Sequence, residues 1–316
     1  MAERIGDSTR REGYPKKSLG HLLSGPQVKY QFMQKHAGEF SVERMSNVLG
    51  VSRSGYYQFI KAEPSKRYCE DERLISEIKE VYTISNQIYG SPRIHAELRA
   101  RGERCSRKRV CRLMKAAHIA AKMKKRFKVT TIVDPKAAVA PNLLKQKFTA
   151  TRPDQYWAAD ITYIPTQEGW LYVAIVLDLF SRSIVGMDMQ AHMTTELVAA
   201  ALRQAITRRK PAAGLIHHSD RGSQYTSKGF KAVSAHHQIT LSMSSTGNCY
   251  DNAVAESFFH TLKTEHTHFE RFESREQAKL SIFEYVEVFY NRQRRHSTLG
   301  YLSPVNFEKN WLSQVA

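Results

Sequence analysis

From about residue 155 the repeat of the chain changes, and that change constrains its fold more than any other feature. "QYWAADITYI" (155–164), "GWLYVAIVLDLF" (169–180) and "SRSIVGMDMQ" (181–190) are short runs rich in β-branched and aromatic residues, separated by turns such as "PTQEG". They predict a three-strand meander. A helical stripe over 194–209, a buried strand at "LIHHSD" (215–220), a helix over 227–237, a strand at "QITLSMS" (238–244) and a helix over 250–264 follow. Three successive strands, then strands alternating with helices, predict a five-stranded mixed sheet with flanking helices, an α/β architecture.

Upstream the period is helical. Residues 1–27 are polar without a clear period and are expected to form a weakly ordered leader. In "SVERMSNVLGVSRSGYYQFI" (41–60) Val42, Met45, Val48 and Leu49 make an apolar stripe, Gly50 breaks it, and Ser52 is placed to cap a second helix. Helix, glycine turn and short polar helix is the pattern of a helix-turn-helix, whose second helix enters the major groove. Arg53 and Tyr56 are its candidate DNA contacts, and the surrounding charge favours this over a plain helical hairpin.

A second helical unit follows, with Pro92 at a helix start, Gly102 at its end and Ser106 before the next helix. That last helix carries Arg107, Lys108, Arg109 and Arg112 around an apolar Val110/Leu113/Met114 side. "KMKKRFK" (122–128) adds Lys124, Lys125 and Arg126. One such run is ordinarily a solvated face or a tail; two basic helical units in series favour phosphate contact. Residues 131–150, with Pro135 and Pro141, read as a linker. The expected domains are therefore a helix-turn-helix (28–66), a second basic helical unit (67–130), the linker, and the mixed-sheet domain with a C-terminal helical extension (151–316).

Charge divides along the same line. The chain of 316 residues has a net charge of +18; residues 1–150 hold 31 Lys and Arg against 14 Asp and Glu, and residues 151–316 hold 17 against 16. A polyanion is implied, nucleic acid or an anionic membrane surface, held by the basic half. There is no uninterrupted apolar run of about 18 residues, nor an amphipathic helix of membrane-surface character, so a membrane role is the weakest reading. "MAERIGDSTRREGYPKK" lacks an apolar signal core, which predicts a cytosolic protein. The cysteines (Cys69, Cys105, Cys111, Cys249) form no CxxC pair, so neither disulfides nor a zinc finger are expected.

The near-neutral half contains three acids of interest. Asp160 interrupts the first strand among apolar neighbours, and Asp220 ends the fourth strand before "RGSQY". Strand ends are where sheets of this kind present reactive groups. In "GNCYDNAVAESFFHTLKTE" (247–265) Val254, Phe258 and Leu262 form a helical stripe. Glu256 points away from it, about 200° round, together with Asn252, His260 and Lys263. Taken alone, Glu256 reads as a carboxylate on a solvated face. Three acids short of Lys and Arg partners suit hard cations, and a pair of Mg²⁺ ions about 3.5–4 Å apart would need such a cluster for phosphodiester displacement. Asp178 reads instead as pairing with Arg182 or capping its turn, and Asp251 as capping the Glu256 helix. His217, His218 and His260 are each of a type to act as a general base, which two-metal chemistry does not require.

"WAADITYI", "HSDRGSQYTS" and "GNCYDNAVAESFFHTLKTE", followed by "YNRQRRHSTLGYLSP", resemble the integrase core of bacterial insertion-sequence transposases. More narrowly, the chain from about Val28 onward resembles the second reading frame (OrfB) of the insertion-sequence-three family, relatives of retroviral integrases. That family's signature is Asp, Asp and Glu with 35 residues between the last two; here 35 residues separate Asp220 from Glu256. The resemblance implies an RNase H-like fold, dependence on Mg²⁺ or Mn²⁺ (two ions per site), and DNA cleavage with strand transfer at the element's ends. It places metal binding and catalysis on Asp160, Asp220 and Glu256. Lys263, seven residues after the glutamate, matches a basic position that contacts terminal DNA, and His260 stands where retroviral integrases carry a lysine. It implies as partners the terminal inverted repeats, target DNA, further copies of the chain and the first-frame (OrfA) product, although no heptad repeat appears here and residues 1–27 match nothing in the family. Two other functions compete. One is a DNA-binding regulator with an inert core; the other is a nuclease without strand transfer.

Overall fold

In the computed structural model residues 25–122, 140–144, 149–244 and 252–315 are described. They divide into two compact units, one up to Leu74 and one from Ile75.

Glycine and serine punctuate the first unit. Helix α1 spans Pro26–Lys35, α2 Val42–Leu49 and α3 Arg53–Lys61, so helical pattern begins two residues before Val28. Ser41 Oγ accepts the Arg44 N–H at 3.3 Å, Gly50 turns with φ of 61°, and Ser52 Oγ accepts the Gly55 N–H at 3.3 Å. The two serines satisfy helix-end donors, and glycine takes the left-handed turn at no Cβ cost. Met33, Met45, Leu49 and Tyr56 form the core of the unit. Tyr56 is 2% exposed, which corrects its expected role as a DNA contact. Three short helices have little apolar surface to bury, and this large ring supplies much of it; its neighbour Tyr57 is the exposed tyrosine. Arg53 is exposed and pairs with Glu43 at 3.2 Å.

Helix α4 (Lys66–Ile84) runs across the division between the units. Helices α5 (Ser91–Ala100) and α6 (Arg107–Ala116) follow, with Pro92 in the first turn of α5 and Ser106 Oγ accepting the Arg109 N–H at 3.2 Å. Val110, Leu113 and Met114 are buried, leaving Arg107, Lys108 and Arg112 exposed and Arg109 half-buried. Lys124, Lys125 and Arg126 lie outside the described residues.

The meander is β1 (Tyr156–Thr166), β2 (Gly169–Asp178) and β3 (Ile184–Gln190), antiparallel throughout, with Asp160 opposite Ile175. Helix α7 (Thr195–Arg209) leads to β4 (Ile216–Ser219), α8 (Lys228–His236) to β5 (Thr240–Met243), and α9 (Ala253–Glu265) and α10 (Arg275–Glu284) follow. A π-type turn (Tyr285–Tyr290) and α11 (Pro304–Val315) complete the described chain. The strand order is β3-β2-β1-β4-β5, with β4 and β5 parallel to β1. This is the five-stranded mixed sheet and RNase H-like arrangement expected.

Alternation along the strands divides the sheet into two faces. Trp157, Ala159, Ala174, Val176 and Val185 pack with Leu197, Ala201, Leu202 and Ala205 of α7 in one core, while Ala158, Asp160 and Thr162 take the opposite side. Gly186 on β3 is where α7 comes closest: a Cβ there would stand 2.2 Å from the Ala201 carbonyl and 2.9 Å from the Ala205 amide. Backbone cannot yield as a side chain does, so Gly186→Ala is expected to cost at least about 2–3 kcal/mol by overpacking. Urea titration checks this; a loss below about 0.5 kcal/mol would mean that α7 can step back from the sheet.

Asp178, fully buried, caps the turn after β2. Its carboxylate accepts from Ser181 N–H at 2.9 Å, Ser181 Oγ at 2.8 Å and the Asp154 N–H at 3.0 Å. Burial carries its pKa up to about 6 against those bonds.

Candidate active site

Strands β1 and β4 pair only through Tyr156–Ile216, Trp157–His217 and Ala158–His218. Asp160 lies two residues beyond the last β1 partner and Asp220 two beyond the last β4 partner, so both occupy the place where the strands part. Asp160 Oδ1 accepts the Ile161 N–H at 2.8 Å, and Asp220 Oδ1 accepts the Gly222 N–H at 2.9 Å. Each aspartate is thereby oriented by its own backbone. A Cβ at residue 222 would come within 3.0 Å of Asp220 Oδ1, which favours glycine there.

The third acid arrives on α9, whose Ala255, Phe258, Phe259 and Leu262 are buried. Glu256 is exposed in its first turn, as the helical stripe predicts. Asn252 stands at the N-cap position of this helix without a side-chain capping bond, and Asp251 lies outside the described residues. The Asn252 side chain is buried and its Nδ2 donates to the Ala159 carbonyl at 3.2 Å, fastening the start of the Glu256 helix beside Asp160.

The three acids influence one another's protonation. Burial holds Asp160 well above the ordinary carboxylate range, and the charges of Asp220 and Glu256 push it further, against the Ile161 N–H and Lys263. Asp220 is raised by burial, and Glu256 by burial and then by Asp220. Among the described residues no three His, Cys, Asp or Glu side chains stand at coordinating distance from one another. The donor set is nonetheless all hard oxygen and in net mutual repulsion, which suits a Mg²⁺-type cation and not zinc.

Lys263 differs from expectation. It is 6% exposed, with Nζ 5.1 Å from the centre of the Tyr163 ring, under the influence of Asp160. The face it shares with Glu256 is open at the start of α9 but is covered further along by β1. The expectation that it shares an open helix face with Glu256 is thus corrected. Desolvation lowers its pKa to about 8, partly offset by Asp160. Between that value and the ordinary 10.5 the unfolded chain binds the extra proton, so this group makes stability rise with pH across the window. Lys263→Met should remove that rise; comparing urea midpoints of the two proteins at pH 7.5 and 10 checks it, and parallel profiles would count against the burial.

Of the histidines considered, His260 is exposed on α9. His218 Nδ1 lies 2.8 Å from Ser242 Oγ inside the sheet, and His217 is buried and held neutral, its pKa lowered to about 3 by burial and then by His218. Neither interior ring is placed to serve as a base for solvent or DNA. Sequence carried no sign of Asn252 as a fastening between elements, nor of Tyr225 buried beside the acids. Nothing in sequence marks a polar side chain that folding will bury.

The Integrase core domain matches residues 150–249 and again 256–312, and the HTH-like domain matches residues 70–127. The latter covers the second helical unit, where sequence had pointed to basic helices. The fold and its domains define a DNA-acting protein of the integrase-core class. The chain is 46% identical over 272 residues to "Insertion element IS600 uncharacterized 31 kDa protein" of Shigella sonnei, covering 86% of this chain and 100% of that one. It is 43% identical over 288 residues to "Transposase InsF for insertion sequence IS3A" of Escherichia coli (strain K12), covering 90% and 100%. The chain belongs to the InsF family of insertion-sequence transposases. Among solved structures, the catalytic core domain of BIV integrase aligns with 17% identity and a TM-score of 0.39 over 52% of this chain and 99% of that one. No helix among the described residues is long and apolar enough to cross a membrane.

Proposed function

We propose that this transposase cleaves the ends of an insertion sequence and joins them to target DNA by strand transfer, using Asp160, Asp220 and Glu256 to bind divalent metal, two Mg²⁺ or Mn²⁺ ions per site. The observation that carries the reading is the mutual repulsion of these three carboxylates, two of which stand where β1 and β4 part. Bound there, the metal ions would activate the attacking oxygen and stabilise the leaving one in phosphodiester displacement. Asp160 and Asp220, each oriented by a backbone N–H, supply fixed ligands from the sheet; Glu256 supplies a ligand from the open start of α9.

DNA is held elsewhere on the chain. Exposed Arg107, Lys108 and Arg112 on α6, and Arg53 on α3, are the proposed backbone contacts, with His260 beside the acids. Neutralising phosphates releases condensed counterions, so affinity should fall steeply as salt rises. The terminal inverted repeats and target DNA are the substrates, and the working form is more than one copy on DNA, with the first-frame product as a further partner. A strand-transfer assay with labelled element ends tests the reading: joined product is expected with Mg²⁺ or Mn²⁺ and none with chelator. Tight, salt-sensitive binding of the ends without cleavage in either metal would instead identify a DNA-binding regulator.

A further inference from the structure

Four described residues bury a side-chain polar atom with no hydrogen-bond partner: Ser46, His217, Tyr225 and Asn252. Three of the four belong to the integrase core, on β4, on the turn after Asp220 and at the start of α9. Buried polar groups are satisfied in the great majority of cases, and the exceptions gather at functional sites. Tyr225 is the most telling. It lies five residues after Asp220 in the short helical turn Ser223–Thr226 and is 1% exposed. Its own N–H donates to the Gly222 carbonyl at 3.0 Å, and Gly222 in turn donates to Asp220 Oδ1. The ring is clamped edge-on against Phe230 at 5.4 Å and beside His217 at 6.2 Å, so the hydroxyl has a fixed place.

Phenylalanine would pack as well in this apolar clamp, without an orphaned hydroxyl that costs about 1–3 kcal/mol. The hydroxyl also feels both aspartates: burial first, then the charges of Asp160 and Asp220, hold the phenol well above its ordinary pKa. It therefore stays a protonated donor. Asp220 stands two residues beyond the last β4 partner, on the same short connection that carries Tyr225.

We propose that Tyr225 is a positioning residue for the acidic site, its hydroxyl donating to the Asp160 or Asp220 carboxylate when a divalent cation is bound and fixing that carboxylate's orientation. This rests on the reading of the acids as metal ligands. Hydrogen bonds to ligating carboxylates are worth about 10–100-fold in metal affinity, and the effect expected of losing this one lies in that range.

The test uses the full-length protein and Mn²⁺ alone, with binding followed by calorimetry and by the signal of free Mn²⁺ in electron paramagnetic resonance. Tyr225→Phe is expected to weaken Mn²⁺ binding at least about tenfold, while the melting temperature without metal stays level or rises. Mn²⁺ binding equal to the parent's would overturn the proposal and leave the metal site standing. Failure of the metal reading looks different: the parent's Mn²⁺ binding would be absent, or unchanged by Asp160→Asn and Asp220→Asn. Should Tyr225→Phe melt several degrees lower without metal, its hydroxyl has a structural partner, and that also overturns the proposal.

Discussion

Asp160→Asn is expected to abolish strand transfer and, in the absence of metal, to raise the melting temperature of the protein. The two effects share one cause. Asp160 is an acid whose folded-state pKa lies well above its unfolded value, through burial and then the charge of Asp220. Such a group favours folding while protonated, and its contribution is lost as pH rises through the folded value. At neutral pH without metal the folded protein must either take up a proton at Asp160 or hold a desolvated carboxylate next to two others. Asparagine keeps the shape and removes that cost. A rise of a few degrees is expected, at about 2–4 °C per kcal/mol for a unit of this size. The advantage over the parent should shrink as pH falls and the parent's aspartate protonates. Asp220→Asn and Glu256→Gln should likewise abolish joining with DNA binding largely retained. Calorimetric scans with chelator from pH 4.5 to 7.5, alongside the strand-transfer assay, provide the measurement. Substantial Mg²⁺-dependent joining by any of the three variants would remove that residue from the proposed metal set. A lower melting temperature for Asp160→Asn at pH 7.5 would show that its charge stabilises the fold.

Arg294→Met is expected to show the opposite pattern, a large loss of stability from a residue far from the chemistry. Glu265, the last residue of α9, is held by Arg294 through Nε at 2.7 Å and Nη2 at 2.6 Å, by Arg93 at 3.1 Å and by the Tyr285 hydroxyl at 3.0 Å. Arg294 is 5% exposed, and the neighbouring His296 is kept neutral, its pKa lowered to about 2 by burial and then by the arginine. Despite its burial, the glutamate is held below the ordinary range by hydrogen bonding and the charge of Arg294, then by Arg93. Removing one partner of a buried pair strands the other charge and costs about 3–5 kcal/mol, which corresponds to a fall of roughly 10 °C in melting temperature. The double variant Arg294→Met, Glu265→Met should recover part of that loss, since no uncompensated charge remains. Urea midpoints of the parent, both single variants and the double variant provide the check, and strictly additive losses would show that the two residues do not act as a pair. For Glu265 the depressed folded pKa means its stabilisation is present above the unfolded value and is lost as pH falls through the folded one.

This clamp also joins segments that the sequence assigns to different domains. Composition separated a basic helical half from a neutral half at the linker. Yet Arg93, Tyr89 and Glu97 of the helical half reach Glu265 and Arg295 near the C-terminus: the Arg295 N–H donates to the Tyr89 hydroxyl at 2.8 Å, and its Nε to Glu97 at 2.5 Å. These partners are about 170 to 200 residues apart, and no local pattern links them. A fragment ending in the linker would separate Arg93 and Glu97 from their partners.

By itself the sequence determined the elements and most of the candidate site. The five strands, the capping serines 41, 52 and 106, the left-handed turn at Gly50 and the outward position of Glu256 follow from periodicity and backbone chemistry, which act within a few residues. The three acids proposed as the site sit at marked places, one interrupting an apolar strand, one ending a strand and one opposite a helical stripe, and the 35-residue spacing of the family resemblance singled out Glu256. Tertiary structure decided which polar side chains face solvent. Lys263 and Tyr56 stand at positions that a helical wheel leaves open, and packing closed over both: β1 covers one, and three short helices needing a core took the other. Tyr225, Asn252 and the Glu265 clamp were invisible for the same reason. Burial depends on which distant segment arrives, and a polar residue carries no sign in the sequence of having been chosen to lie under one.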